Sequence, residues 1–244
     1  MKTRDPSFWK ASSSFLKGFT PLRELLRRPR VMPCDTDVSV TLEDMPAMSA
    51  YRVEGFRLTL GLGPAVTPSF SADRSAGNKT EIFPHLGLIQ LGGFMHGFGA
   101  QVSVKDALIE GGFSDAEKME ISDEGRLLAA LGGASDPGLD ALLDRWIAYL
   151  DASDADAIGL SSAHEIDPLT FVLLRRRLLA LGGRVPPFIM GGRWLHELSR
   201  PFVNELDVLI LEEGEAPLLL ACHALRHGQD PRWIPGVTVL RPDG

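Results

Sequence analysis

From Tyr51 onward, short apolar runs alternate with longer segments whose apolar residues recur at helical spacing. Short apolar runs bounded by glycine, proline or polar residues are typical of buried β-strands. The predicted strands cover 56–62, 101–109, 156–162, 186–192 and 207–214, and a further short strand is expected in GVTVLRPDG at 236–244. Turn residues close most of these runs, so the pattern predicts a series of separate strands.

The segments between the strands are predicted to be helices. They cover 84–99, 138–153, 167–183 and 216–228, with a short helix around RWLHELSRPF at 193–202. In the second of them, Leu139, Leu142, Leu143, Trp146, Ile147 and Leu150 fall on one helical face. Strands that alternate with helices indicate a parallel sheet covered on both faces. The predicted fold is therefore doubly wound α/β, Rossmann-like or flavodoxin-like, with about five strands.

Residues 1–50 lack this regularity and are predicted to be an N-terminal extension to a domain at 51–244. The net charge of −7 is unevenly spread, because residues 1–31 carry eight Lys or Arg and two acidic residues. The acidic remainder argues against a nucleic-acid-binding domain. The basic start is more simply explained as a solvated or partner-docking segment than as a nucleic-acid or membrane arm.

The composition limits the cellular compartments and the cysteine-based metal sites that are possible for this chain. No apolar run reaches the roughly 18 residues of a membrane span, and the start lacks the apolar centre of a secretory signal. We therefore expect a soluble, cytoplasmic protein without membrane partners. Cys34 and Cys222 are the only cysteines. They are too few for a disulfide framework, a four-thiolate zinc site or an iron-sulfur cluster held by this chain alone.

Small residues follow several predicted strands, at Gly63-Pro64, Ser161-Ser162, Gly191-Gly192 and Gly214. The carboxyl ends of parallel strands share one edge of a sheet, where ligands bind in such folds. Glycine also lets backbone amides approach a ligand closely. Each turn has a structural alternative, since glycines close strand-to-helix turns and serines cap helices. The sequence contains no G-x-G-x-x-G after the first strand, no P-loop and no G-x-S-x-G.

The order of several motifs resembles the N-terminal cobalamin-binding domain of cobalamin-dependent radical S-adenosylmethionine enzymes. The resemblance rests on FPHLGLIQLGGFM, QVSVKDAL, ADAIGLSS, PFIMGG, ELDVLILEEGEAPLLLACHAL and WIPGVTVLRPDG, in that order. It covers roughly residues 56–244, about three quarters of the chain. Each motif is weak alone, and their order and spacing carry the similarity.

The resemblance implies a corrinoid lying across the strand ends, with its nucleotide tail between the turns. Carried over by position, the residues that line the tail and the corrin amides are Ser161, Ser162, Gly191, Gly192, Glu213, Gly214 and Glu215. Glu213 and Glu215 could accept hydrogen bonds from ligand hydroxyl or amide groups, or they could cap the helix that starts near Ala216. A side chain at Gly192 is expected to clash with the ligand rather than with the core.

The sequence departs from the family pattern in several motifs. In the acidic turn, Glu212 stands where the family usually has glycine. The sequence also contains no C-x-x-x-C-x-x-C cluster motif. S-adenosylmethionine and the 4Fe-4S cluster are therefore expected on a partner or missing catalytic domain, with no catalytic residue in this chain. The D-x-H-x-x-G motif, by which other cobalamin proteins supply a lower axial histidine, is absent, as it commonly is in the radical family. His85, His96, His164 and His196 lie near predicted strand ends and are expected at surface or packing positions. No metal ligand is assigned.

Three functions remain open from the sequence. The chain could be the cobalamin-binding module of a radical S-adenosylmethionine methyltransferase-type enzyme, whose partner is the catalytic domain or subunit. It could be a stand-alone cobalamin-binding regulator or carrier without catalytic activity. It could also be a flavodoxin-like domain that binds no corrinoid and serves only in assembly.

Overall fold

The computed structural model describes residues 48–66, 86–164, 166–192, 205–210, 214–231, 234 and 237–239. Within them, one sheet has the strands β1 (Arg57–Leu62), β2 (Gln101–Asp106), β3 (Ala157–Ser161), β4 (Phe188–Gly191), β5 (Val208–Ile210) and β6 (Val237–Val239). The strand order is β2-β1-β3-β4-β5-β6, with β1 to β5 parallel and β6 antiparallel to β5. The doubly wound α/β fold is therefore confirmed, with an antiparallel strand added at one edge.

Helices cover both faces of the sheet. They are α1 (Leu86–Gly97), α2 (Asp115–Glu120), α3 (Glu124–Leu131), α4 (Pro137–Leu150), α5 (Asp167–Ala180) and α6 (Glu215–Arg226). Helices α3, α4 and α5 pack on one face, and α1 and α6 pack on the other. The helix expected around 193–202 lies outside the described residues. None of the helices in the described ranges has the length and apolar character needed to cross a membrane.

Two apolar clusters form the core, one on each face. Along β3, Ile158 and Leu160 face the α3–α5 side, where Trp146 and Phe171 are fully buried. The leucines of β1 face the α1–α6 side. Successive side chains on a strand point to opposite faces, so a strand buried on both faces must be apolar at nearly every position. This explains why the strands were visible as continuous apolar runs.

Helices α2 and α3 lie between β2 and α4, in a polar stretch for which the apolar pattern predicts no helix. Ser114 and Glu117 form a capping box at the start of α2, and Asp123 accepts a hydrogen bond from a backbone amide in the first turn of α3. The S-x-x-E spacing of the capping box was present in the sequence and would have indicated a helix start.

Two carboxylates fix the amino-terminal edge of the sheet. Asp156 accepts a 2.9 Å bond from the backbone amide of Arg57 and pairs with its guanidinium at 3.1 Å. Asp207 accepts a 2.9 Å bond from the amide of Phe188 and pairs with Arg175 at 3.1 Å. Each carboxylate thus joins neighbouring segments while its charge is balanced by an arginine.

The strand order reverses beside β1, which makes this position the topological switch point of the sheet. The chain passes from β1 to β2 on one side, and then to β3, β4 and β5 on the other. Ligands of doubly wound folds bind at such a reversal, beyond the carboxyl ends of the strands. The β1–β3 boundary and the adjoining strand ends are therefore the place to search for a site.

Candidate ligand-binding cleft

The register of the sheet aligns the carboxyl ends of four strands. Leu62 pairs with Ser161, Ser161 with Gly191, and Gly191 with Ile210. The last residue of each strand is thus a neighbour of the last residue of the next. The ends of β1, β3, β4 and β5 consequently lie along one rim, which is the arrangement that a shared ligand site at this edge requires.

A cleft of about 240 Å³ opens at this rim between α1 and α6. Five residues that the sequence analysis assigned to a ligand site line it: Ser161, Gly191, Gly192, Gly214 and Glu215. The remaining lining residues are Leu60, Gly87, Leu88, Leu91, Gly159, Leu160, Ile189, Ile210 and Leu218. The structure therefore brings together small residues from three successive turns, with leucines and isoleucines around them.

The other two assigned residues do not appear in the cleft lining. Ser162 is buried, and its backbone amide donates a 2.7 Å hydrogen bond to the carbonyl oxygen of Gly191. Its hydroxyl donates to the carbonyl oxygen of His164 at 3.4 Å. Ser162 therefore stabilises the turn after β4 through its backbone and does not line the cleft. Glu213 lies outside the described residues, as does Glu212.

The turn after β1 shares the edge but not the cleft. Gly63 faces the α4–α5 side of the sheet, where an added Cβ atom would lie 3.2 Å from Trp146 and 3.4 Å from Phe171. Gly63 is thus small because a core packs against it. Of the four turns expected to act together, those after β3, β4 and β5 contribute to the cleft.

The two glycines after β4 differ in a way that the sequence does not show. Gly192 has a φ of 114°, and a Cβ atom there would lie 2.6 Å from the carbonyl oxygen of Ser162. A side chain at Gly192 would therefore meet the protein's own backbone, which corrects the expectation that it would clash with a ligand. At Gly191, the nearest atoms to an added Cβ belong to Ile210 at 3.9 Å. Gly191 thus faces open space in the cleft.

The cleft has apolar walls and few polar groups. Leu88 and Leu91 come from α1, Leu218 comes from α6, and Ile189 and Ile210 come from the sheet. The polar side chains among the lining residues are those of Ser161 and Glu215. The side-chain amide of Gln90 on α1 lies 3.4 Å from Oε1 of Glu215, so a weak hydrogen bond joins the two helices at the outer rim.

The cleft lining contains no histidine or cysteine among the described residues. His96 lies at the opposite edge, in a shallow groove with Arg57 and Gln101. His85, His196 and Cys34 are outside the described residues. Cys222 is buried in α6, and burial raises the pKa of its thiol, so it is poorly suited to bind a metal. The described ranges also hold no cluster of three or more potential metal ligands.

One residue of the rim escaped the sequence analysis. Asp167, at the start of α5, is buried, and its Oδ2 accepts hydrogen bonds from the backbone amides of Ala163 at 2.7 Å and His164 at 2.6 Å. Its Oδ1 is also buried and has no hydrogen-bond partner among the described residues. Burial raises the pKa of Asp167 to about 7, although both amide bonds act in the opposite direction. The available signal was an acidic residue opening a helix that is otherwise apolar in its first turns.

No protein-family model matches the sequence, and a comparison with curated proteins finds no match. A comparison with solved structures finds a similarity to the radical S-adenosylmethionine methyltransferase TsrM from Kitasatospora setae, whose structure has cobalamin and a 4Fe-4S cluster bound. The TM-score is 0.43 and the sequence identity is 17%. The match covers 78% of this chain and 28% of that chain. Cobalamin, the cluster and the methyltransferase activity are properties of that longer protein.

Proposed function

We propose that this chain is the corrinoid-binding module of a radical S-adenosylmethionine methyltransferase-type enzyme. The iron-sulfur cluster and S-adenosylmethionine would be held by a catalytic domain or subunit outside this chain. The observation that carries the proposal is the cleft at the carboxyl edge of the sheet. Its small residues from the turns after β3, β4 and β5 are those to which the motif resemblance assigns cobalamin contacts.

The residues present suit part of a cobalamin. Gly191 leaves an open position that a side chain would fill, and the leucine and isoleucine walls suit the aromatic base of the nucleotide tail. The cleft volume of about 240 Å³ is below the roughly 300–1,000 Å³ typical of pockets that enclose a whole small molecule. The cleft would therefore seat the tail, while the corrin ring would lie over the rim.

The roles of the chain's own residues follow from this placement. Ser161 offers a hydroxyl to polar atoms of the tail, and Gly191 and Gly214 allow close approach of the backbone. Glu215 can accept hydrogen bonds from ligand hydroxyl or amide groups and sits favourably in the first turn of α6. When bound, the corrinoid cobalt supplies a site that carries a methyl group between donor and acceptor. The chain would bind and orient the corrinoid and shield its nucleotide tail from water.

Binding of hydroxocobalamin tests the proposal directly. The purified protein is mixed with hydroxocobalamin, passed through a gel-filtration column and examined by its visible spectrum. We expect the corrinoid to elute with the wild-type protein and not with Gly191→Leu, whose side chain would occupy the cleft. Gly93→Leu is the matched control, since Gly93 lies on the exposed side of α1 with no atoms within 4 Å of an added Cβ.

Each outcome has a clear meaning. Retention by wild type and Gly93→Leu, with loss in Gly191→Leu, supports both the function and the site. Retention by all three proteins would place the corrinoid elsewhere and reject the cleft. If wild type retains no corrinoid while its far-ultraviolet circular dichroism shows a folded α/β protein, the proposed function is wrong.

A further inference from the structure

The carboxylate of Asp167 differs from the other carboxylates that organise the sheet edges. Asp156 and Asp207 each pair with an arginine at the amino-terminal edge. Asp167 lies at the carboxyl edge, is 1% exposed, and has no ion-pair partner among the described residues. An uncompensated buried carboxylate is costly, so its presence calls for a role that an apolar residue could not fill.

A continuous series of backbone contacts links Asp167 to the cleft. Its Oδ2 accepts hydrogen bonds from the amides of Ala163 and His164, in the loop that follows β3. The preceding residue, Ser162, donates its amide hydrogen to the carbonyl oxygen of Gly191. The α-carbon of Gly192 packs against the Ser162 peptide so closely that no side chain fits. Gly191 and Gly192 then line the cleft.

We propose that Asp167 is a positioning residue of the cleft, whose carboxylate holds the loop after β3 and, through Ser162, the Gly191–Gly192 turn. Asp167 itself is absent from the cleft lining and has no contact with the space that a ligand would occupy. Its effect on ligand binding therefore passes through the backbone of the rim. The identity of the ligand rests on the proposed function above, whereas the effect on the rim does not.

The surroundings of Asp167 make this support dependent on pH. A Cβ atom placed at Gly63, just after β1, would lie within 3.4 Å of Oδ1 of Asp167, of Trp146 on α4 and of Phe171 on α5, and neither aromatic side chain ionises near neutral pH. His164, a titratable residue, contacts it through its backbone amide. A charged carboxylate accepts hydrogen bonds more strongly than a neutral carboxyl group does. Because burial raises the pKa of Asp167 to about 7, the rim should be held more firmly at pH 8 than at pH 6.

Amide hydrogen exchange tests the effect on the rim without any ligand. Exchange at Ala163 and His164 is measured at pH 6 and pH 8 and corrected for the intrinsic pH dependence of exchange. In wild type, we expect protection of both amides to be greater at pH 8. Asp167→Ala should reduce protection about tenfold or more, because it removes the acceptor of both bonds. Asp167→Asn retains an acceptor oxygen that does not titrate, so its corrected protection should be the same at both pH values.

Binding of methylcobalamin tests the effect on the cleft. Methylcobalamin carries no titratable water on cobalt, so the ligand itself does not introduce a pH dependence near neutrality. We expect wild type to bind it more tightly at pH 8 than at pH 6, and Asp167→Asn to bind it equally at both. Asp167→Ala should bind about tenfold more weakly than wild type at pH 8. If Asp167→Ala does not fold, Asp167→Asn carries both tests.

The two measurements separate failure of this inference from failure of the proposed function. If wild type binds methylcobalamin but the pH dependence persists in Asp167→Asn, the positioning role is overturned and the proposed function stands. Unchanged amide protection in Asp167→Ala, or protection in Asp167→Asn that still varies with pH, also overturns the role. If wild type binds no methylcobalamin, the proposed function fails and the exchange measurement decides the role of Asp167 at the rim.

Discussion

The α-carbon of Gly192 packs directly against the peptide of Ser162, so that a Cβ atom would lie 2.6 Å from the Ser162 carbonyl oxygen and 2.8 Å from its nitrogen. Both atoms belong to the backbone, which cannot rotate away as a flexible side chain can. Gly192 also has a φ of 114°, which L-residues with a side chain rarely adopt. The turn after β4 and the loop after β3 thus form a single packed unit, and Gly191 beside it is left open.

This difference predicts opposite results for two adjacent valine substitutions. Gly192→Val should lower the melting temperature markedly, because it combines a steric clash with a conformation that costs a branched residue about 1–3 kcal/mol. Gly191→Val should leave the fold intact, since its Cβ has room and valine favours a strand. Thermal unfolding followed by circular dichroism compares the two. Equal melting temperatures would show that the Ser162–Gly192 packing is not as tight as described.

Trp146 should be a major contributor to stability. It is fully buried in α4 and contacts Phe171 with ring centroids 5.8 Å apart. Trp146→Ala is expected to lower the free energy of unfolding by about 3–5 kcal/mol, through lost burial and the cavity that remains. Leu179→Ala is a suitable control, because Leu179 on α5 is 50% exposed and should change stability by less than about 0.5 kcal/mol. Urea unfolding measures both, and similar losses would contradict the described core.

Asp207 should contribute more to the free energy of unfolding than an exposed carboxylate that also pairs with an arginine. Asp207→Ala leaves the backbone amide of Phe188 without its acceptor and Arg175 without its partner. The expected loss is about 1–3 kcal/mol in the free energy of unfolding. Asp154 pairs with Arg57 but its side chain is 73% exposed, so Asp154→Ala should cost less than about 1 kcal/mol. A larger loss for Asp154 in urea unfolding would reverse this ranking.

The buried carboxyl group of Asp167 should leave a signature in global stability. Its pKa is about 7 in the folded state against an ordinary value of 3.8, so between these values the folded protein holds a proton that the unfolded chain has released. Stability relative to Asp167→Asn should therefore fall as pH rises from about 4 to about 7 and level off above, by up to roughly 4 kcal/mol. Urea unfolding of both proteins across this range measures the difference. Parallel pH profiles would mean that the carboxyl group titrates normally.

The global and local effects of this titration have opposite directions. Charging Asp167 strengthens its two bonds to the loop, yet it also places a charge where water cannot reach it. The second effect dominates overall stability, since burial is the larger cause of the pKa shift. Greater amide protection of the rim at a pH where the whole domain is less stable would support both the positioning role of Asp167 and its raised pKa.

The elements with strong periodicity were predictable from sequence. The stripe from Leu139 to Leu150 places its leucines and Trp146 in the core, and the apolar strands appear where they were expected. Such patterns are visible because burial selects apolar side chains at fixed spacing. The rim from β3 to β5 was predictable for a related reason, since parallel strands must end at one edge.

The division of the turns between the two faces was harder to predict, although strand alternation contained part of it. Gly159 and Ser161 have the same parity along β3 and line the cleft, whereas the opposite parity places the side chain of Leu160 in the core cluster of Trp146 and leaves Ser162 buried. The same rule separates Leu62 from Gly63. The role of Gly192 depends on its φ and that of Asp167 on burial in tertiary packing, and neither is encoded in a local pattern.

The strand β2 forms one border of the sheet, and no strand of the described ranges pairs with its outer side. Its sequence QVSVKD interrupts the valines with polar residues and ends in an ammonium and a carboxylate group. A second chain that paired there would have to dehydrate those charges, which is a common defence against strand addition. The protein should accordingly resist forming intermolecular sheets through this border even when it is highly concentrated.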